Sequence, residues 1–308
     1  GQRRRQCSVC RRTWRIRHKK IGRKGRRQNS LLVERYFRNG GFNLGAHSQK
    51  LHLSANGIWY RLRQSRDYFL KAKEFPPIPQ RGKLIMVIDA LREKIDGQWY
   101  SIYLRLIRPV KAKTAIILEP LILPGWENKD GWNQAINLLS ESVKKRIMAI
   151  IGDGLPAFVS IACENNWLLQ RCHFHLLKEL HCWFSRKRKS RHQKLFNKIE
   201  RLIRTIITTV NHDELNHSLQ TIKKLINDVR VPDRFKIRFL KGFVRHYELY
   251  RTYLKYPELN LPTTSNSCEA VVKQIRKLLG GANGFNSENS LNKWIKACLI
   301  FKKNISCK

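Results

Sequence analysis

Residues 84–90, LIMVIDA, and residues 146–154, RIMAIIGDG, decide the fold, because each is an apolar run that leads into an aspartate. Short apolar runs of this kind are typical of buried β-strands. Asp89 and Asp153 stand at the carboxyl ends of the two predicted strands, where α/β sheets place their functional groups. A carboxylate in such a setting is costly unless it is paired, hydrogen-bonded or bound to metal. The sequence therefore predicts an α/β domain with two functional acids.

The segments around these strands predict a ribonuclease-H-like order within residues 81–175. After the first strand, an Asp96-Gly97 turn and the apolar residues up to 109 indicate a hairpin. A third strand is expected over 113–122. A helix over 129–145 precedes the second acidic strand, and a helix over 155–166 and a strand over 167–175 follow it. Three antiparallel strands, then helix, strand, helix and strand, form an α/β core of this type.

Beyond this core the chain becomes helical. Residues 176–262 carry apolar positions at helical spacing and predict an all-α insertion. Residues 263–308 are expected to return to the core as two helices, the first of which begins near Ser267 and carries Glu269. A metal site needs a third acid from another element, and Glu269 is the best candidate. The other acids of this third of the chain are Glu248, Glu258 and Glu288, the last in a predicted loop.

Charge dominates the composition of the 308 residues. The chain has 62 Lys and Arg against 22 Asp and Glu, a formal net charge of +40, with 42% hydrophobic residues. Nucleic acid is the expected partner, because Lys and Arg displace condensed counterions from phosphates. An anionic membrane surface is the weaker alternative. We expect no membrane span, since no apolar run reaches the required length, and no signal peptide, since the first 27 residues are polar and basic.

Residues 1–30 are a predicted basic arm around Cys7 and Cys10. This C-x-x-C pair is half of a tetrahedral zinc site, and His18 is a third candidate ligand, so the arm resembles a partial zinc ribbon. The alternative is a disordered basic tail with two free thiols. The remaining cysteines of the eight are expected to be thiols or metal ligands rather than disulfides. The arm's expected DNA contacts are Arg3, Arg4, Arg5, Arg11, Arg12, Arg15 and Arg17.

Residues 31–74 predict a helix-turn-helix. A first amphipathic helix is expected over 31–37, a short helix follows, and a longer one begins at Ser54, a good N-cap residue. Ile58 and Leu62 would face inward. A recognition helix in the major groove needs polar residues on its other face, and those expected to face DNA are Asn56, Arg61 and Arg63. A helical packing unit without DNA contacts is the alternative. The Pro-rich residues 75–80 predict a boundary with the core.

The three acids suggest metal-dependent phosphoryl transfer. Carboxylate oxygens are hard ligands that suit Mg²⁺ or Mn²⁺. Two such ions about 4 Å apart activate a water or a 3′-hydroxyl and stabilise the leaving oxygen. Each acid also has an ordinary interpretation, since Asp153 could belong to a turn and Asp89 could be a cap or an ion-pair partner. Taken together, the acids favour a metal-dependent nuclease or transferase.

Several segments resemble mutator-type DDE transposases of insertion sequences. IIGDGLPAF, followed by a helix and LLQRCHFHLLKEL, is similar to the family's second-acid motif with its C-x-x-H pair, here Cys172 and His175. TTSNSCEAVVKQIR is similar to the third-acid motif, with Asn266 three residues before Glu269. VIDA resembles the first-acid strand, and GWNQAINLL, with Trp132, resembles the helix before the second acid. The resemblance covers about residues 80–300.

The resemblance implies a role for each matching residue. Asp89, Asp153 and Glu269 would bind two Mg²⁺ or Mn²⁺ ions per active site. Cys172 and His175 would lie beside that site, and local packing of the pair is the alternative to a functional role. Asn266 would position the third-acid helix or touch DNA, and the same helix offers two more expected DNA contacts, Lys273 and Arg276.

The resulting hypothesis is a DNA transposase. It would cleave transposon ends and join the 3′-hydroxyls to target DNA, with double-stranded DNA bearing terminal inverted repeats as its partner. Two ends must meet, so we expect a homodimer or larger synaptic complex, in the cytoplasm or nucleoid of a prokaryote or the nucleus of a eukaryote. The alternatives are a domesticated non-catalytic DNA-binding protein and a structure-specific nuclease without strand transfer. The three acids argue against the first alternative, and the helix-turn-helix argues against the second.

Overall fold

The computed structural model describes residues 4–6, 10, 13–15, 32–39, 52, 54–185, 193–281, 285 and 287–306. The chain divides into two compact units, Gly1–Lys73 and Glu74–Lys308. Within the described ranges, no helix combines the length and the apolar character needed to cross a membrane.

The first unit begins with a small hairpin. Strands β1 (Arg4–Gln6) and β2 (Thr13–Arg15) pair antiparallel, on either side of the C-x-x-C segment. Cys10 is exposed. Of the arginines expected to contact DNA, Arg4, Arg5 and Arg15 lie in these two strands. The other predicted residues of the arm lie outside the described residues: Cys7, His18, Arg3, Arg11, Arg12 and Arg17. The zinc site therefore stays a prediction.

Two helices complete the described part of this unit: α1, residues 32–38, and α2, Ala55–Ala72. The expected cap at Ser54 is present, because its Oγ accepts a hydrogen bond from the Gly57 N–H at 3.1 Å. Ile58 and Leu62 are buried as predicted, and the residues expected to face DNA are exposed: Asn56, Arg61 and Arg63. The predicted middle helix lies outside the described residues.

The second unit is built on a mixed seven-stranded sheet. Its order is β8-β7-β3-β4-β5-β9, and β6 pairs with another part of β4. Strands β3, β4 and β5 are antiparallel neighbours, whereas β7 and β8 run parallel to β3. The strands are β3 (Leu84–Ile95), β4 (Gln98–Pro109), β5 (Thr114–Ile117), β6 (Leu121–Pro124), β7 (Ile147–Gly152), β8 (Leu168–Arg171) and β9 (Asn304–Ser306). The expected α/β class is confirmed at this level.

Six helices of the second unit flank its strands or follow them in the chain: α3 (Lys129–Asn137), α4 (Glu141–Lys144), α5 (Ala157–Glu164), α6 (His173–Ser185), α12 (Asn266–Gly281) and α13 (Glu288–Lys302). The core centres on Trp132 of α3, which is fully buried. Its ring packs edge-on against Tyr103 and Phe158, with centroids 5.0 and 5.3 Å away. These contacts fix α3 and α5 against β4 and therefore position the ends of the central strands.

The helical segment between α6 and α12 has a separate apolar core, to which Leu176 and Leu180 of α6 also contribute. It consists of α7 (Gln193–Thr208), α8 (His212–Ile226), α9 (Asp233–Phe235), a π-helical turn (Lys236–Leu240), α10 (Lys241–His246), a 3₁₀ turn (Tyr247–Tyr250), α11 (Thr252–Lys255) and a 3₁₀ turn (Pro257–Leu259). Its last part is fastened to β8: the Gln170 side chain donates to the Tyr250 carbonyl at 3.1 Å and accepts from the Tyr253 N–H at 2.9 Å. The segment is therefore anchored beside the end of the sheet.

Three predicted elements differ in the structure. The strand expected over 113–122 is two strands, β5 and β6, because Pro120 between them has no N–H to continue a ladder. The helix expected over 129–145 is divided into α3 and α4, since Ser140 adopts an extended conformation. The strand expected over 167–175 ends at Arg171.

Candidate active site

The two aspartates come together through the register of the sheet. The parallel pairing of β3 with β7 ends with Val87 opposite Ile151. Asp89 lies two residues beyond Val87 in β3, and Asp153 lies two residues beyond Ile151, so both acids stand at the carboxyl end of this parallel pairing. Asp153 follows the last residue of β7, as predicted.

Asp89 requires a correction, because it does not end its strand. β3 continues to Ile95, since β4 pairs with it along its whole length up to the turn at Asp96 and Gly97. The hydrophobic run ends at Asp89 because there β3 loses its neighbour β7 on one side. The sequence therefore located the end of two-sided pairing rather than the end of the strand.

The two aspartates are held by short local hydrogen bonds. Oδ1 of Asp89 accepts from the Ala90 N–H, and Oδ1 of Asp153 accepts from the Leu155 N–H, each at 2.9 Å. These bonds leave Oδ2 of each residue for a ligand. Burial raises the pKa of Asp89 to about 7; the His175 charge opposes this shift, and the Asp153 charge adds to it. Asp89 thus retains part of its proton at neutral pH unless a cation opposes its charge.

Glu269 is the third acid of the same cleft. It lies in the first turn of α12, and its N–H donates to the Ser265 carbonyl at 3.0 Å. The neighbouring Cys268 thiol donates to the Val87 carbonyl at 3.5 Å, which sets α12 against β3. Asp89, Asp153 and Glu269 line one cleft of about 720 Å³. The three elements that carry them are far apart in the sequence and meet here.

The other acids considered for this role do not line the cleft. Glu248 forms an ion pair with Lys255. Glu258 is exposed in a 3₁₀ turn. Glu288 was expected in a loop but lies in the first turn of α13, where Ser287 caps the helix. Of the four acids considered in this third of the chain, Glu269 is the one that lines the cleft.

Cationic side chains surround the carboxylates. All three residues predicted on α12, Asn266, Lys273 and Arg276, line the cleft. Two more lysines that the sequence analysis did not identify also line the cleft: Lys178 and Lys277. Lys178 Nζ lies 4.0 Å from Glu269 Oε1. An acidic centre within a basic rim can receive a phosphodiester and a divalent cation together.

Cys172 and His175 connect the third-acid helix to the sheet. The Ser265 N–H and hydroxyl both donate to the buried Cys172 Sγ, at 3.2 and 3.3 Å. The Ser265 hydroxyl also lies 3.4 Å from His175 Nδ1. The Cys172 N–H in turn donates to the Gly152 carbonyl at 2.8 Å, next to Asp153. We call Cys172, His175 and Ser265 the sulfur clamp.

The sulfur clamp also places a positive charge at the cleft. The hydrogen bond to Cys172 raises the pKa of His175 to about 9; burial opposes this shift, and the charges of Cys172, Asp89 and Asp153 add to it. Burial raises the pKa of the Cys172 thiol, but the hydrogen bonds from His175 and Ser265 outweigh burial and lower it. His175 Nε2 lies 3.8 Å from Glu269 Oε1, so the clamp contacts a carboxylate directly.

The donor set suits a divalent cation, although its members are not gathered around one point. Among the described residues, no three His, Cys, Asp or Glu side chains stand close enough together to hold a metal ion as placed. Asp89, Asp153 and Glu269 nevertheless line one cleft and supply the hard oxygen ligands that Mg²⁺ and Mn²⁺ prefer. To bind one ion together, these side chains would have to rotate towards a common point.

Glu127 is an acid near the site that the sequence analysis missed. It lies just before α3 and accepts a hydrogen bond from the Trp132 indole at 2.7 Å. Burial raises its pKa, the Trp132 hydrogen bond lowers it, and the charge of Asp153 raises it further. No pattern in the sequence marks Glu127, because a lone acid before a helix is an ordinary N-terminal residue.

A scan against family models finds no match to the chain, and a search of curated proteins finds no significant match.

Proposed function

We propose that the protein is a DNA transposase that cuts transposon ends and joins their 3′-hydroxyls to target DNA by metal-dependent phosphoryl transfer. The observation that carries the proposal is the convergence of Asp89, Asp153 and Glu269 on one cleft with a cationic rim. Neighbouring parallel strands supply two of these acids, and the first turn of a returning helix supplies the third.

The sheet supports the finer assignment to a ribonuclease-H-like core. Strands β5, β4 and β3 are antiparallel neighbours, and β7 and β8 extend the sheet in parallel beyond β3. This is the arrangement expected from three antiparallel strands followed by two helix-connected strands. The helical segment between β8 and α12 stands where the resemblance implies an all-α insertion.

Each group of the cleft has a task in this reaction. Asp89, Asp153 and Glu269 would hold two Mg²⁺ or Mn²⁺ ions. When bound, the ions neutralise phosphate charge and activate the attacking water or 3′-hydroxyl. Lys273 and Arg276 would hold the DNA backbone so that attacking and leaving oxygens lie in line. Asn266, at the start of α12, would donate to a phosphate or sugar oxygen.

The first unit would recognise the transposon ends. Helix α2 buries Ile58 and Leu62 and exposes the side chains that the helix-turn-helix interpretation directs to DNA: Asn56, Arg61 and Arg63. The zinc ribbon of the arm remains part of the proposal. Since two ends must be cut and joined together, we propose that a homodimer or larger synaptic complex is the active form.

Product analysis separates this proposal from its two alternatives. The purified chain is incubated with labelled DNA carrying the element's ends and with plasmid target, in Mg²⁺, in Mn²⁺ and in EDTA. A transposase yields cut ends and then joined products in either metal. A nuclease yields cut ends alone, and a non-catalytic DNA-binding protein retains the ends in a complex without cutting them. Absence of joined products in both metals would contradict the proposal.

A further inference from the structure

A second cavity lies next to the carboxylate cleft. Its volume is about 560 Å³, and its lining starts at Gly154, the residue after Asp153. From there it passes over α5 and the end of β8 to the helical segment that contains α10. The volume falls within the roughly 300–1,000 Å³ of small-ligand pockets in proteins. None of the proposed metal ligands lines this cavity.

Arg171 contributes to the cavity lining a buried guanidinium with one unpaired nitrogen. Its side chain is only 7% exposed, and its Nε is buried without a hydrogen-bond partner among the described residues. Its guanidinium carbon lies 5.9 Å from the centre of the Tyr250 ring. A buried guanidinium is costly unless an anion or further hydrogen bonds compensate it. The guanidinium hydrogen-bonds the Tyr250 side chain, but no ion pair of Arg171 occurs in the described part of the chain, so an anionic ligand would supply the opposite charge.

A second arginine shares the lining with Arg171. Arg238 is exposed at the cavity, and His246 is half-buried there. Burial lowers the pKa of His246, and the charges of Arg171 and Arg245 lower it further, which reflects the positive potential of this region. Glu179 is the acidic residue of the lining. The balance of charge favours an anion.

The remaining wall of the cavity is aromatic. Phe239, Phe243 and Tyr250 line it, and each is at most 6% exposed. Phe239 is itself stacked on Phe235, so the rings offer the cavity an apolar wall rather than free faces. An apolar aromatic wall beside arginines suits an unpaired nucleotide, because the base can lie against the rings and the phosphate can pair with arginine. A base within a duplex cannot enter such a cavity without leaving its stack.

We propose that this cavity holds one unpaired nucleotide of the DNA strand that is cut at the neighbouring carboxylates. Its phosphate would pair with Arg171 and Arg238, and its base would lie against Phe239 and Phe243. The proposal rests on the proposed function for the identity of the strand. It names a subsite that would separate the end nucleotide from its partner strand beside the scissile bond.

Binding in EDTA tests the subsite without any need for catalysis. Fluorescence anisotropy compares a blunt duplex, the same duplex with one unpaired thymidine, and one with an abasic overhang, placed at the 3′ and 5′ ends in turn. We expect the full chain to bind one thymidine overhang about tenfold more tightly than the blunt duplex, as one stacked base allows. The abasic overhang should recover only part of this preference.

Two exposed arginines provide matched variants. Arg238→Gln should remove most of the preference for the overhang, because Arg238 lines the cavity. Arg245→Gln removes the same charge from a neighbouring exposed position that does not line the cavity, and it should keep the preference. As a second readout, an iodouridine overhang should crosslink to Phe239, Phe243 or Tyr250.

Two results would overturn the subsite. One is equal affinity for blunt and overhanging duplexes. The other is an overhang preference that Arg238→Gln and Arg245→Gln reduce alike, with crosslinks outside the cavity. Because the readout is binding without metal, failure of the subsite is distinguishable from failure of the catalytic proposal. If only the subsite is wrong, the protein still cuts and joins DNA. If only the catalytic proposal is wrong, the protein still prefers the overhanging duplex.

Discussion

The sulfur of Cys172 is the point at which the third-acid helix is fastened to the sheet. The sulfur accepts two hydrogen bonds from Ser265, which lies four residues before Glu269. The backbone N–H of Cys172 donates to the carbonyl of Gly152, the residue before Asp153. Hydrogen bonds of one buried cysteine therefore connect the chain segments that carry Asp153 and Glu269. We propose that the C-x-x-H pair positions Glu269 through these bonds.

We predict that Cys172→Ala costs about 1–3 kcal/mol of unfolding free energy, since it leaves buried Ser265 donors unpaired. The cleavage rate should fall more than the apparent affinity for DNA, because Glu269 loses its fixed position. Cys172→Ser, which keeps an acceptor, should recover part of both. Cys163→Ala, at an exposed free cysteine, is the control. Equal behaviour of the Cys172→Ala and Cys163→Ala variants in melts and cleavage assays would exclude the positioning role.

Asp89 makes the stability of the metal-free protein depend on pH. Burial raises its pKa from 3.8 to about 7 in the folded state. The folded protein thus binds this proton more tightly than the unfolded chain does, and the stability that Asp89 contributes falls as pH rises from about 4 to about 7. In EDTA, Asp89→Asn should therefore gain stability over the wild type as pH rises across this window.

Denaturant titrations at several pH values measure this difference. Added Mg²⁺ should stabilise the wild type more at pH 8 than at pH 6, because the ion competes with the proton, and it should stabilise Asp89→Asn less. Asp130→Asn, at an exposed acid of α3, is the control. A wild type whose Mg²⁺ response does not change with pH would count against this account of Asp89.

At the scale of the element, α3 depends on close contact with β4. Asn128 caps the helix by accepting from the Gly131 N–H at 2.8 Å, and a Cβ at Gly131 would meet the hydroxyl end of the Tyr103 side chain. Tyr103 cannot move freely, since it is buried and packs against Trp132. The glycine therefore permits the helix to approach the sheet.

We predict that Gly131→Ala destabilises the protein by about 1–3 kcal/mol through overpacking. Gly280→Ala is the control, because a Cβ at Gly280 meets nothing within 4 Å. Chemical denaturation of both variants measures the difference. A Gly131→Ala protein as stable as the Gly280→Ala protein would show that Tyr103 can move aside.

How much of the element layout the sequence predicts depends on how local the signal is. The apolar runs before Asp89 and Asp153 and the helix of Glu269 are visible in the sequence, because burial and capping act over a few residues. Strand β9 is not, since its three residues pair with β5 and carry no apolar pattern of their own. Glu127 was missed for the same reason: only tertiary contacts bring it near the aspartates.

For the whole molecule, the net charge of +40 predicts that salt concentration is the main control of the proposed DNA binding. We expect the logarithm of the binding constant to fall steeply with the logarithm of salt concentration. Arg61→Gln, on the exposed face of α2, should reduce the magnitude of that slope by about one. Lys223→Gln, at an exposed position of α8, should leave it unchanged. If both variants change the slope alike, the result would contradict a direct contact between α2 and DNA.

We propose that Asp89, Asp153 and Glu269 act as one catalytic group. The test is Mg²⁺-dependent cleavage of end DNA by Asp89→Asn, Asp153→Asn and Glu269→Gln beside the wild type. Glu288→Gln, an exposed acid of α13 outside the cleft, is the matched control. We predict that each of the three substitutions lowers cleavage by roughly a hundredfold or more while DNA binding persists, and that Glu288→Gln cleaves like the wild type. Wild-type cleavage by any one of the three variants would contradict the claim.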